Sequence, residues 1–192
     1  MTLTHKFDEK HAKFLDSEER EKILPRHKII DFVASLLPLD GKVVADVGAG
    51  TGYFAIPLLD QVGSEGTVIA VDINDKLLSL LKEKAPPKPS LEIVLSEEDS
   101  IPIADETVDL AFCADLLHEL DGDTTLREIR RILKPGCYLV VIDWEKGKDG
   151  WGPPDHVRLT RENALLLCER VGFTPVVSFE PGEHHYGLVF QK

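Results

Sequence analysis

The sequence predicts an α/β fold, a doubly wound sheet of seven strands, mostly parallel, with helices on both faces and an antiparallel hairpin at its C-terminal end. Three observations predict it. Short β-rich runs alternate with segments whose apolar residues recur at helical spacing, the pattern of strand, helix, strand units with right-handed crossovers. The segment Val43 to Gly52 leads from an apolar run into three glycines at alternate positions and on into a helical pattern. The C-terminal stretch abandons the alternation for two successive strand patterns.

Taken in order, residues 1 to about 25 are strongly charged, with Phe7, Phe14, Leu15, Ile23 and Leu24 as isolated apolar points that would pin short helices onto a surface. Pro25 ends that region. From His27 to Leu36 the residues Ile29, Ile30, Phe32, Val33 and Leu36 describe an amphipathic helix that stops before Pro38. Lys42 to Val47 reads as the first strand and Tyr53 to Val62 as the following helix. Thr67 to Val71 is a second strand ending at Asp72, after which Asn74 or Asp75 caps a helix carrying Leu77, Leu78, Leu80 and Leu81. The Pro86-Pro87-Lys88-Pro89 stretch terminates it. Leu91 to Leu95 and Val108 to Cys113 are the third and fourth strands, joined by an acidic loop containing Ile101-Pro102. Thr124 to Leu133 is a helix closed by Lys134-Pro135-Gly136, and Tyr138 to Ile142 has the unbroken apolar pattern of a strand buried on both faces. Thr160 is placed as an N-cap, Ala164 to Val171 as a helix and Gly172 as its C′ residue. Thr174 to Phe179 and Tyr186 to Phe190, separated by Pro181-Gly182, complete the reading as a hairpin.

Composition narrows the function. With 192 residues and 43% hydrophobic content the chain can bury one full core, so a single domain is expected across residues 1–192: an N-terminal helical cap (1–38), a ligand-binding core (39–145) and a C-terminal helix and hairpin (146–192). A formal charge of −12 and a pI near 5.0 argue against nucleic acid as a partner, although simple solubility explains the same sign. Cys113, Cys137 and Cys168 are odd in number and lie in apolar segments, as buried thiols of a reducing compartment would. No apolar run approaches the ~20 residues that span a bilayer, and the charged N-terminus has no signal-peptide pattern, so a cytoplasmic protein without a membrane partner is expected. No metal is expected, because His118, His156 and His184-His185 lack a ligand spacing.

The glycine segment carries the chemistry. A dehydrogenase loop has the spacing G-x-G-x-x-G and must accept a dianionic pyrophosphate. Here the spacing is D-x-G-x-G-x-G, and Asp46 would sit badly beside a pyrophosphate but well beside a cation. Asp72, about 20 residues after the loop, is placed to accept both hydroxyls of a ribose, or else to cap the next helix.

On Asp46-Val47-Gly48-Ala49-Gly50-Thr51-Gly52, together with Leu117-His118-Glu119-Leu120 and Leu126 to Gly136, the chain resembles the class I methyltransferases, which have a Rossmann-like fold and bind S-adenosylmethionine. The resemblance is close over residues 40 to 145 and topological elsewhere. It implies S-adenosyl-L-methionine as cofactor, with Asp46 near its ammonium, Gly48, Ala49, Gly50 and Gly52 along its methionine portion, Asp72 at the ribose hydroxyls, Ile73 among the cofactor-binding residues, and Glu97 or Glu98 at the adenine amino group. Ile101-Pro102 matches the family's Leu-Pro pair, and Ala114 falls in the loop that walls the cofactor. Candidate catalytic residues are Asp115, read equally well as a base or as a helix N-cap, His118, and Asp143 with its neighbour Trp144 beyond the fifth strand. His184-His185-Tyr186 and Trp151-Gly152-Pro153-Pro154 fall near the same edge.

The segments His5-Lys6-Phe7-Asp8, Phe14-Leu15-Asp16, Asp143-Trp144 and Gly152-Pro153-Pro154 are similar to a group of small prokaryotic methyltransferases recognised by fold and cofactor rather than by acceptor. Quinone and arsenite methyltransferases share the central blocks, but the scattered cysteines depart from the thiol set that arsenite chemistry requires. The expected function is methyl transfer to a small-molecule acceptor. The competing readings are a non-catalytic S-adenosylmethionine-binding module and a NAD-type nucleotide binder, the latter disfavoured by the glycine spacing and the terminal hairpin. Acceptor and oligomeric state are not readable from the chain.

Overall fold

Both periodicities reappear in a computed structural model of the protein, which describes residues 12–148 and 150–192. The His5-Lys6-Phe7-Asp8 segment lies outside the described residues. Two short helices, α1 (Ala12–Leu15) and α2 (Glu18–Ile23), precede α3 (Arg26–Leu36). The Ser17 side chain caps α2 by accepting from Arg20 N, and the fully buried Leu24 pins the segment to the core.

Then come β1 (Val43–Val47), α4 (Ala55–Val62), β2 (Thr67–Asp72), α5 (Asp75–Lys84), β3 (Leu91–Leu95) and β4 (Val108–Ala114), followed by a 3-10 turn at Leu117–Glu119. The chain finishes with α6 (Thr124–Ile132), β5 (Leu133–Trp144), α7 (Arg161–Arg170), β6 (Thr174–Gly182) and β7 (His185–Gln191). The strands form one sheet in the order β3-β2-β1-β4-β5-β7-β6, in which only β7 runs against the others.

Strand alternation divides the core in two. Val44, Val68, Ala70, Leu110, Phe112, Val140 and Ile142 meet α3, α4 and Leu81 of α5 on one face. Ala45, Val47, Ile69, Val71, Ala111, Cys113, Leu139 and Val141 meet α6 and α7 on the other. The buried positions of α4, namely Ala55, Leu58, Leu59 and Val62, recur at the spacing of one helical face. Because the winding reverses between β1 and β4, a crevice opens beyond the carboxyl ends of these two strands.

Of the two expected caps Asn74 is the one used, its side chain accepting from Lys76 N and Leu77 N at 3.1 and 3.3 Å, which sets aside the alternative of Asp72 as cap. Two other expectations are corrected. Lys134-Pro135-Gly136 does not lie outside a strand. Leu133 already pairs with Val108, a register shift follows, and Lys134 Nζ is tied to Asp109 Oδ1 at 2.9 Å. Pro181-Gly182 is not the hairpin turn either; both belong to β6, and Glu183-His184 makes the turn. Gly182 answers a different need, since a Cβ there would lie 2.2 Å from the carbonyl oxygen of Ile23. The missing side chain lets the hairpin touch the end of α2.

Cys113 and Cys168 are buried and Cys137 is half-buried, none in a disulfide. Burial pushes the Cys168 thiol up to about 12 and Cys113 well above its ordinary value, so both behave as small apolar groups. Among the described residues, no helix is long and apolar enough to cross a membrane, and no trio of His, Cys, Asp or Glu is arranged to hold a metal ion.

Candidate active site

The crevice is a cavity of about 1210 Å3. β1 delivers Asp46, 2% exposed, just before the glycine loop. The loop is held flat against β2 because the N–H groups of Gly48 and Ala49 both donate to the Val71 carbonyl, at 2.9 and 3.0 Å. Gly50 N donates to Asp72 Oδ2 at 2.7 Å, and Asn74 N to Asp72 Oδ1 at 2.8 Å, so each carboxylate oxygen is anchored by main chain and keeps a lone pair for a ligand. Gly50 has φ +53°, and a Cβ there would touch Leu15 Cδ1 of the cavity wall at 3.4 Å. A ligand along this loop therefore meets backbone rather than side chains.

Asp46, Gly48, Ala49, Gly50, Asp72, Ile73, Glu97, Glu98 and Ala114 all line this one cavity. Gly52 does not. At φ +85° its missing side chain faces helix α5, where a Cβ would lie 2.1 Å from Leu81 Cδ1. It shapes the loop from behind. Ile73 is 44% exposed beside Asp72, an apolar surface suited to a flat ring.

Electrostatics decide which ligand fits. Burial pushes the Asp46 carboxyl up to about 7, and the neighbouring Asp72 charge adds to this, against a hydrogen bond from Ala55 and the charge of Arg20. Burial raises Asp72 too, opposed by its backbone hydrogen bonds. A carboxylate at Asp46, beside the loop where a diphosphate would lie, disfavours that group and suits a cation, while Asp72 suits the ribose of either ligand. The positively charged, adenosine-bearing S-adenosylmethionine fits the residues present; a phosphorylated dinucleotide does not.

At the other end lie Asp115, His118, Glu119 and Trp144, with Asp143 beneath them. Asp115 follows β4 at φ +57°, a left-handed conformation held by its N–H on the Ile142 carbonyl at 2.8 Å. Its Oδ2 accepts from Arg20 of α2 at 3.0 Å, and its Oδ1 lies 3.2 Å from His185 Nε2, off the hydrogen-bonding direction. Burial would raise this carboxyl, but the charges of His185, Arg20 and His118 win and hold it at about 2. It caps no helix, since Leu116 precedes the 3-10 turn. An ion-paired carboxylate of this kind is a poor base.

Asp143 does not reach the cavity. It is completely buried and accepts from His118 Nδ1 at 2.7 Å, from His118 N at 3.1 Å and from Trp144 N at 2.7 Å. With Nδ1 so engaged, His118 turns Nε2 toward the cavity, 3.8 Å from Glu119 Oε1. Burial opposes a charge on His118, yet Asp143 and its hydrogen bond prevail and raise the imidazole to about 9. Glu119 is raised to about 7, mainly by burial, with His118 pulling the other way.

A cover closes the cavity. Phe14 of α1 stacks on Trp151 at 5.9 Å and 20°, and the loop through Gly152-Pro153-Pro154 adds to the rim. Tyr53 donates to the Leu24 carbonyl at 2.7 Å and lies 2.8 Å from Glu21 Oε2, while Arg20 stands 4.3 Å over its ring. His185 rather than His184 joins this layer, 4.1 Å from the Trp144 ring, and His156 is exposed away from the cavity lining. Arg20 and Tyr53 carry no sequence signal, and Glu119, though it stands in the Leu117-His118-Glu119-Leu120 block, is not distinguished there as a site residue. Arg20 sits in an ordinary charged run, and its role exists only because α2 folds back over β4.

The resemblance read from the glycine block extends to known proteins. Residues 45–141 match the family described as Methyltransferase domain. The chain belongs to that family. Its cofactor is S-adenosylmethionine. A crystal structure of a SAM-dependent methyltransferase from Aquifex aeolicus is 31% identical, with 97% of this chain and 99% of that one covered and a TM-score of 0.90. The PH0226 protein of Pyrococcus horikoshii OT3, 18% identical over 97% of this chain and 99% of that one with a TM-score of 0.78, shares the fold. A ubiquinone/menaquinone biosynthesis C-methyltransferase of Xylella fastidiosa (strain M12) is 32% identical over 127 residues, 64% of this chain and 50% of that protein. The chain thus spans about half the length of the curated relatives it matches.

Proposed function

We propose that the protein transfers the methyl group of S-adenosylmethionine to a small-molecule acceptor by in-line displacement, the acceptor lying between the cofactor and the aromatic cover of Phe14, Trp144 and Trp151. One observation carries this reading: Asp46 is a buried carboxyl at the head of a main-chain cradle with Asp72 beside it, so a cation in the cavity would stabilise its ionised form. In this reading Asp46 faces the ammonium, directly or through water, and the backbone of Gly48, Ala49 and Gly50 follows the methionine portion. Asp72 accepts the two ribose hydroxyls, Ile73 lies against the adenine, Glu97 ahead of Glu98 reaches its amino group, and Ala114 completes the wall.

The cofactor brings an electrophilic methyl group, so the chain supplies alignment, exclusion of water and a place for the proton. A cavity of about 1210 Å3 exceeds the roughly 300–1,000 Å3 of a single small-molecule site, which favours an enzyme with a second ligand over a module that only binds cofactor. His118, protonated at neutral pH, acts as a donor rather than a base. Glu119, on the cavity wall and half-ionised near pH 7, takes the acceptor's proton, whereas Asp115 orders Arg20 and His185. Asp143 acts through His118 as a positioning residue. Relatives named for ubiquinone/menaquinone biosynthesis support a small molecule as acceptor.

Calorimetric titration with S-adenosylmethionine, S-adenosylhomocysteine and NAD, followed by a labelled-methyl screen over metabolite extracts, tests the proposal. The first two should bind and NAD should not. Binding of NAD alone would defeat the reading, and cofactor binding with no labelled product in any extract would favour the non-catalytic module.

A further inference from the structure

We propose that Arg158 is a positioning residue for the acceptor end of the cavity: it gathers the backbone at Glu145, Lys148, Trp151 and Pro153 around its guanidinium so that Trp151 stands as a wall. That Trp151 faces an acceptor rests on the methyl-transfer reading; that Arg158 sets its position does not. Arg158 is buried, and its Nε donates to the Pro153 carbonyl at 2.9 Å. Its Nη1 donates to the carbonyls of Glu145 and Lys148 at 3.0 and 2.6 Å, and its Nη2 to that of Trp151. Carbonyls of irregular backbone have no ladder partner, and here one planar fork satisfies four of them from separate points of the segment. Their relative positions are fixed by the fork's geometry, which a lysine ammonium does not reproduce.

Two further contacts aim the segment. Arg158 stands 5.5 Å from the centroid of the Trp144 ring, and Gly152 presses so close to that ring that a Cβ would lie 2.6 Å from it. Trp151 is thereby turned outward to the cavity, where it stacks on Phe14. Lys146 Nζ, donating to the carbonyls of Asp155 and Arg158, and Gly147 N, donating to Asp155 Oδ1, fasten the base of the segment. Arg158 does not line the cavity, so its influence on a ligand passes through Trp151.

The chain has two tryptophans, of which Trp144 is 4% and Trp151 39% exposed, so acrylamide reaches Trp151 first. Acrylamide quenching, thermal stability and S-adenosylhomocysteine affinity are compared for the parent, Arg158→Lys and Arg158→Ala. Quenching should rise roughly twofold in Arg158→Ala, as an indole now 39% exposed becomes fully exposed, and by less in Arg158→Lys. Cofactor-product affinity should stay at the parent value, because the glycine loop and Asp72 belong to other strands. Unchanged quenching in Arg158→Ala overturns the proposal, as does a loss of affinity in step with the quenching, which would make Arg158 a general support of the fold. Should Arg158→Ala not fold, Arg158→Lys decides alone: a signal equal to the parent's overturns the proposal and a raised one supports it. Failure of the parent to bind S-adenosylhomocysteine would defeat the methyl-transfer reading and leave the quenching result standing.

Discussion

At the scale of single residues, the site is governed by carboxylates whose surroundings differ. Asp46 has a folded-state value of about 7 against 3.8, so the native protein holds a proton there that the unfolded chain has released. Its contribution to stability is present below about pH 4 and is lost as pH rises toward 7. A cationic ligand reverses the preference by favouring the ionised form. Affinity for S-adenosylmethionine should therefore strengthen as pH rises through 7, and Asp46→Asn should raise the apo melting temperature at pH 8 while weakening cofactor binding. Flat affinity across that range would remove Asp46 from the ligand. Asp72→Ala should weaken binding by roughly 1 to 3 kcal/mol through lost charge-assisted hydrogen bonds, measurable by calorimetry.

His118 titrates with the same sign but for a different reason. Its folded value of about 9 lies above the ordinary 6.5, so its pairing with Asp143 contributes fully below pH 6.5 and is lost as pH climbs through 9. Denaturant midpoints of the parent should fall between pH 7 and 10 more steeply than those of His118→Gln. Equal slopes would mean that the imidazole is neutral in the native state.

At the scale of elements, the glycine loop shows how one motif serves two ends. A Cβ on Gly48 would meet Leu116 at 3.2 Å and one on Gly50 would meet Leu15 at 3.4 Å, both side chains of the cavity wall, while Gly52 makes room for Leu81 of α5. Gly52→Ala should destabilise the protein by about 1 to 3 kcal/mol, from a Cβ 2.1 Å from Leu81 at a positive φ, and chemical denaturation measures it. A melting curve indistinguishable from the parent's would show that α5 yields freely. Glycine spacing revealed that a cradle exists, but which glycine faces which partner depends on α5 packing behind the loop. Pro181-Gly182 teaches the same lesson: a turn signal by composition, it serves a close approach between β6 and the Ile23 carbonyl.

At the scale of the whole molecule, α1, α2 and the ends of β1, β2 and β4 line one cavity, so a cofactor bound there as proposed should stabilise the fold as a unit. At a hundredfold excess over Kd, S-adenosylhomocysteine should add about 2.7 kcal/mol, roughly 5 to 10 °C in melting temperature for a chain of this size. No shift at saturation would mean that the unfolded chain binds equally well, or that the cavity does not bind at all.

Much of this was legible in the chain by itself. Local spacing determines strands, helices and the D-x-G-x-G-x-G bend, because period and backbone freedom are properties of neighbouring residues. That was enough to choose a cationic adenosyl ligand over a diphosphate and to place Asp46, Asp72 and the acidic loop after β3 on one edge. The tertiary structure decided what lies between distant segments. It paired Arg20 with Asp115 across 95 positions, buried Asp143 beneath His118, and wrapped a loop around Arg158. Proton affinities and loop positions of this kind arise from burial and long-range charge, which spacing along a chain does not encode.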